Sequence, residues 1–279
     1  MSSFLVDHTI PCLNSVCAVL CRQSSGQRRW IYADHTVTNL AHALRADPTT
    51  FARVKSVIWM GGALDHPGNT SPTAEFNCFA DPYAAQSLLD AVQTGAFHMY
   101  LAPLDITTPH QIPFDDLIHP SYPDNPDPSL TPLKHLTSAM LGRVRGLQAS
   151  FGLPDAMEMH DPVAVWYAIA HASLPADQSA QGWVVKPRQF KVERIGELTR
   201  GMCVVDRRGG GEGNGGSRTE DKDLADNHIP TAGAEGVAKK DRDGSEIKHA
   251  KNEAKIITHT PGSEALRKLL LKRVFGTEV

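Results

Sequence analysis

Residues 54–77 read VKSVIWMGGALDHPGNTSPTAEFN, and this stretch decides the fold. Val54 to Met60 is a nearly continuous run of β-branched and large apolar residues. Its length and lack of alternation predict a strand buried on both faces, as in a parallel sheet. The strand delivers the pair Gly61-Gly62, a turn signal. Because GGA lacks GxGxxG spacing, a phosphate-binding turn is a weak reading. The loop beyond carries Asn69, Glu75 and Asn77 around the apolar Phe76. Convergent polar groups beside an apolar side chain suit a desolvated pocket that reads hydroxyl groups. A capped surface loop explains the same residues equally well, and the local pattern leaves both readings open.

Working outward, helix-like and strand-like segments alternate from Ala33 to Asp206, which predicts α/β architecture. Val37, Leu40, Ala41 and Leu44 recur at helical spacing, and Asp47-Pro48 ends that helix. Asp81-Pro82 opens the next helix, with Asp as N-cap and Pro at the first helical position. Phe97 to Leu101 is another strand, and Leu133, Leu136, Met140, Val144 and Leu147 form the apolar face of an amphipathic helix. Asp161-Pro162 starts the helix VAVWYAIA, and short strands follow near Trp183–Val185, Phe190–Arg194 and Met202–Val205. Composition then shifts to glycine and charge (RRGGGEGNGGSRTEDKD), and no aromatic residue occurs between Phe190 and Phe275. Such a segment buries too little apolar surface to offset its ordering entropy, so a disordered insertion is expected. Leu266, Leu269, Leu270 and Val274 then predict a closing helix behind Ser263. The expected organisation is a divergent segment at 1–34, a core at 35–206, an insertion at 207–253 and a closing helix of the same domain at 254–279.

Of the 279 residues, 41% are hydrophobic and 21% charged, with a formal net charge of −3. No basic excess points to nucleic acid, and the histidines are scattered. The five cysteines form no CxxC pair, which argues against a disulfide framework or zinc knuckle and for a reducing compartment. No run approaches the roughly 18 apolar residues of a membrane span. Residues 10–20 are apolar like a signal peptide, but Asp7 and His8 stand where a basic region belongs, so a cytoplasmic protein is expected.

A second constellation is Met159-His160-Asp161-Pro162. Asp161 serves as a helix N-cap in the simplest reading, with His160 in the preceding turn. In the functional reading Asp161 is a hard oxygen ligand, and His160 protonates a leaving group near neutral pH.

Together these segments resemble the inosine-uridine-preferring nucleoside hydrolases. The motifs that carry the likeness are HTVTNLA at residues 35–41, IWMGGA at 58–63, Gly68-Asn69 with Pro72, and AEFN at 74–77. Asp81-Pro82, PLDIT at 103–107, HDPVAV at 160–165, and Thr199-Arg200-Gly201 with Val204-Val205-Asp206 extend it in family order. GMCVVDRR and LLLKRVFG look most similar to fungal uridine nucleosidases. The resemblance implies a three-layer α/β fold with a mostly parallel central sheet. It also implies hydrolysis of a ribonucleoside (uridine or inosine) to ribose and free base through an oxocarbenium-like transition state. Calcium is the implied cofactor, holding the ribose diol and the attacking water. By position, Thr38 would give calcium a backbone carbonyl and Asp161 a carboxylate. Met60, Asn69, Glu75 and Asn77 would bind ribose, and His160 would stand by the leaving base. A homo-oligomer is the family habit.

Against that pattern, this sequence contains no DxDxxxDD signature, the family's source of most metal carboxylates. His35-Thr36 replaces the Gly-Pro that shapes the turn before Thr38, and Thr108 stands where relatives often carry histidine. A sequence lacking the family's first strand and acidic motif is expected to be inactive and marginally stable by itself. An incomplete gene model is one explanation; a non-catalytic relative that binds ribose or nucleoside is the other.

Overall fold

The computed structural model describes residues 29–33, 35–174, 178–207 and 253–276. The central sheet has five strands in the order β1 (Arg29–Ala33), β2 (Val54–Met60), β3 (His98–Ala102), β9 (Lys255–His259) and β6 (Val184–Pro187). The first four run parallel and β6 is antiparallel to β9. Tyr32 pairs with Ile58, which pairs in turn with Tyr100. The helices of this part of the chain are α1 (Thr38–Ala46), α2 (Pro48–Phe51), α3 (Phe76–Ala80), α4 (Pro82–Gln93) and α5 (Leu104–Thr107).

Alternation of side chains across the pleat divides the strands between two cores. Ile31, Val57, Trp59, Met99, Leu101 and Ile256 face one, packed by Leu40 of α1 and Leu88 of α4. Tyr32, Ile58, Met60, Tyr100, Ala102 and Ile257 face the other, packed by Ala164 and Tyr167 of α8 (His160–His171). Sheet and helices thus form three layers, as the resemblance implies. Asp81 caps α4 as expected, its Oδ1 accepting from Ala84 N at 3.0 Å.

A smaller region is built from β4 (Gln111–Pro113), α6 (Phe114–Leu117), α7 (Pro132–Ser150) and β5 (Ala156–Glu158), with β4 and β5 antiparallel. Here Ile112, Leu117, Met159 and Val163 meet Leu266 of α9 (Ser263–Leu270). Arg267 of α9 also grips Asp116 of α6 through two nitrogens, at 2.7 and 2.9 Å. A two-stranded ladder of β7 (Lys191–Val192) and β8 (Cys203–Val204) flanks α4.

Four features depart from the sequence reading. Residues 29–33, placed in the divergent segment, form an edge strand of the main sheet. The closing region is more than a helix, because KIITH at 255–259 inserts as a strand between β3 and β6. Asp161 is not the cap of α8: Met159 holds that place, and Asp161 is the second residue of the helix. The apolar stripe of α7 does not face a core among the described residues, since Leu136, Met140 and Leu147 are 56%, 61% and 58% exposed. That helix is held through its opposite side. Ser138 Oγ accepts from His119 N, and Lys134 Nζ donates to the carbonyls of Asp116 and Leu117. Residues 208–252, most of the expected insertion, lie outside the described residues, as do residues 1–28. Among the described residues no helix is long and apolar enough to cross a membrane.

Candidate functional site

In open parallel sheets the crevice beyond the carboxyl ends of the strands is the usual ligand site. Here the loops after β1, β2 and β3 meet the start of α8 at that edge. The β2 loop is fixed by its own polar residues. Glu75, 2% exposed, caps α3 with its carboxylate: Oε1 accepts from Asn77 N at 2.7 Å, and Oε2 accepts from Gly62 N at 2.9 Å and Cys78 N at 3.1 Å. Gly62 is at φ 84°, a conformation glycine adopts without strain. Asn77 Nδ2 donates to Met60 O at 3.0 Å, returning the loop to the strand end. Asn69 Oδ1 accepts from Phe76 N at 2.9 Å. At Gly68 the chain passes so close to itself that a Cβ would lie 2.1 Å from Ser71 O.

The turn after β3 clamps this loop from the other side. Leu104 N donates to Gly62 O at 2.9 Å, and the Asp105 carboxylate accepts from Leu64 N at 2.9 Å and Asp65 N at 2.7 Å. The same turn positions α8. Thr107 Oγ1 donates to Pro103 O at 3.1 Å and lies 2.8 Å from His160 Nδ1. With its proton committed to Pro103, the hydroxyl faces the ring as an acceptor. The other ring nitrogen, Nε2, lies 2.9 Å from Glu158 Oε2. His160 is thus held at both ring nitrogens, by a hydroxyl on one side and a carboxylate on the other. His110 O accepts from Met159 N at 2.7 Å, and His110 Nε2 lies 2.7 Å from Thr260 Oγ1 beyond β9.

Burial raises the Glu75 carboxyl above its ordinary range. The three backbone amides, and the nearby charge of His160, pull it the other way. Asp161 follows at the second residue of α8, exposed, with its backbone carbonyl accepting from Tyr32 OH of β1 at 3.2 Å. Thr38 opens α1 just past β1, and its hydroxyl donates to Asp81 Oδ2 at 2.5 Å.

The structure thus brings Met60, Glu75, Asn77 and His160 to one edge. Glu75 and Asn77 are buried and bonded to backbone, whereas Asn69 and Phe76 are exposed. Asp105, Thr107, Glu158 and Tyr32 hold the site and were not singled out from sequence. Asp105 and Thr107 lie inside the PLDIT motif. Glu158, two residues before His160, carried no separate signal.

Calcium takes about 6–8 oxygen ligands. Among the described residues no group of three or more His, Cys, Asp or Glu side chains could hold a metal ion. The neighbouring carboxylates are committed: Glu75 to three amides, Asp105 to two, and Asp81 to Thr38 and the cap of α4. The first residue of a helix normally directs its carbonyl into the helical ladder, which is where Thr38 stands. Thr38 and Asp161 do not make a calcium cage, and the described residues do not fit this ion.

An uncharacterized protein of Schizosaccharomyces pombe is 30% identical over 179 residues, covering 61% of this chain and 49% of that protein. The inosine-uridine preferring nucleoside hydrolase of Leishmania major is 31% identical over 183 residues, covering 62% of this chain and 48% of its own. The chain spans about half the length of the curated relatives it matches. Two solved structures share the fold. One is the plant nucleoside hydrolase PpNRh1, with a TM-score of 0.58, 19% identity, and coverage of 89% of this chain and 62% of that one. The other is an inosine-guanosine nucleoside hydrolase, with a TM-score of 0.60, 19% identity, and coverage of 91% and 64%. The model of the inosine-uridine preferring nucleoside hydrolases matches residues 9–239, and the chain belongs to that family.

Proposed function

We propose that this chain carries the ribose-reading wall of a ribonucleoside N-ribohydrolase, acting on uridine or inosine. The observation that supports this most is His160, held between Glu158 and Thr107 at the edge where the Gly61–Asn77 loop ends. In this reading Met60 and Asn77 line the sugar and Glu75 sets the loop. Asn69, whose Oδ1 is used within the loop, offers Nδ2 to a hydroxyl. The bond between C1′ and the base nitrogen breaks, the base leaves with a proton delivered by His160, and water adds at C1′ to give ribose, releasing a proton to solvent, from which His160 is reprotonated. Such a proton transfer typically contributes about 10²–10⁴-fold in rate. Asp161 as a metal ligand, calcium dependence, a cytoplasmic role in nucleoside salvage and homo-oligomer formation belong to the same reading through family likeness.

A second reading, a non-catalytic protein that binds ribose or nucleoside, is favoured by the lack of a metal-holding group among the described residues. Reducing-sugar release from uridine and inosine by the purified chain, with added calcium and with chelator, separates the two. Release that chelator abolishes supports the hydrolase. Saturable nucleoside binding without release supports the binder, and neither binding nor release overturns both.

A further inference from the structure

Cys78 and Cys203 lie 125 positions apart in sequence, yet their sulfurs are 3.8 Å apart, and both are free, buried thiols. They sit directly behind the candidate site. A Cβ at Gly62 would lie 3.1 Å from Cys203 Sγ and 3.8 Å from Cys78 Sγ. The backbones beneath them are also close: a Cβ at Gly201, two residues before Cys203, would lie 2.5 Å from Phe79 Cα and 2.9 Å from Cys78 C. Glycine at 201 thus lets β8 press against the Cys78–Phe79 peptide of α3. A disulfide needs sulfurs at about 2.05 Å, which a side-chain rotation and a small approach of β8 would provide.

We propose that Cys78 and Cys203 are a modification site, closing to a reversible disulfide with a hydroperoxide or a small-molecule disulfide as oxidant. With peroxide, one thiol attacks the O–O bond and becomes a sulfenic acid, releasing one water. The second thiol attacks that sulfur, the S–S bond forms, and a second water leaves. Two electrons pass from the thiols to the peroxide. With a small-molecule disulfide, one thiol attacks a sulfur and expels the first small thiol to give a mixed disulfide, and its neighbour then resolves this bond, expelling the second small thiol.

Access comes through β8. Its ladder with β7 has only two residue pairs, Lys191 with Val204 and Val192 with Cys203. A ladder this short opens locally at low cost, exposing Cys203 while the main sheet stays intact. The neighbouring Cys203 and burial push the Cys78 thiol well above its usual range, so reaction in the closed state is slow. Cys78 N donates to Glu75, so closing the bond ties β8 to the helix that caps the loop.

The test uses the full chain, reduced and then treated for hours with hydrogen peroxide or, separately, glutathione disulfide. Denaturing alkylation and peptide mass mapping follow. The expected product is a linked pair of Cys78 and Cys203 peptides, two hydrogens lighter than the reduced pair, lost on dithiothreitol and absent from Cys203→Ser. Recovery of both residues as alkylated thiols, or their linkage only to Cys12, Cys17 or Cys21, overturns the proposal.

Discussion

Replacing Glu75 separates the structural role of this carboxylate from any role toward a ligand. In Glu75→Ala three buried amide donors (Gly62, Asn77 and Cys78) lose their acceptor. An unsatisfied buried donor costs roughly 1–3 kcal/mol. Two of the three share Oε2, and water entering the space left behind recovers part of the loss, so about 3–6 kcal/mol is expected in total. That is a large fraction of a typical domain stability of about 5–15 kcal/mol. Glu75→Gln behaves differently. Its one oxygen, placed at Oε2, retains Gly62 and Cys78 and abandons only Asn77. Burial also raises the folded carboxyl above its ordinary, unfolded-state value. A carboxyl raised on folding stabilises fully below its unfolded value, and that contribution is lost as pH rises through the folded value. At neutral pH the amide is spared that loss, so Glu75→Gln should cost only about 0–2 kcal/mol. Urea unfolding followed by tryptophan fluorescence, with buried Trp59 as a reporter, measures both. With a slope of about 2 kcal/mol/M, Glu75→Ala lowers the midpoint by about 1.5–3 M without changing the slope. An alanine variant within about 1 kcal/mol of the parent would show that Glu75 does not cap this loop.

Two further perturbations test the frame around the site. His171 is buried and neutral, its Nε2 accepting from Ala180 N at 3.1 Å, and burial lowers it, like His110, below the ordinary histidine value of 6.5. Their contribution to stability is present above 6.5 and lost as pH falls from there toward the lowered values. Melting temperature should therefore drop by several degrees between about pH 7.5 and pH 5.5, and less so in His171→Gln; a flat or rising profile would contradict the assignment. Gly201→Ala combines φ 78° with a Cβ 2.5 Å from Phe79 Cα. A loss of about 3 kcal/mol or more is expected in urea unfolding, and a neutral outcome would mean that β8 does not press on α3.

The main architecture was legible because its signals are long or chemically specific. VKSVIWM is seven residues of buried strand, and Asp81-Pro82 announces a helix start that the structure uses as such. The strands at 29–33 and 255–259 escaped notice because five residues flanked by charged or polar neighbours offer too little pattern. For α7 the periodicity is real, but it reports only that one face is apolar, not that the described residues cover it. At the site, sequence alone could name Glu75, Asn77 and His160 as polar groups of interest. It could not show that Glu75 is occupied by three amides, because that depends on where Gly62 returns beside α3. Nor could it join Thr107 to His160, since that hydrogen bond spans 53 positions and exists only once α5 and α8 are packed.

The most direct measurement is calorimetric titration of the purified chain with uridine and, in parallel, with 2′-deoxyuridine. A wall that reads ribose hydroxyls should bind uridine saturably and at least about tenfold more tightly than the deoxy form, the equivalent of one good hydrogen bond. Equal affinity for the two, or no binding of either, would contradict a ribose site at the carboxyl edge of this sheet.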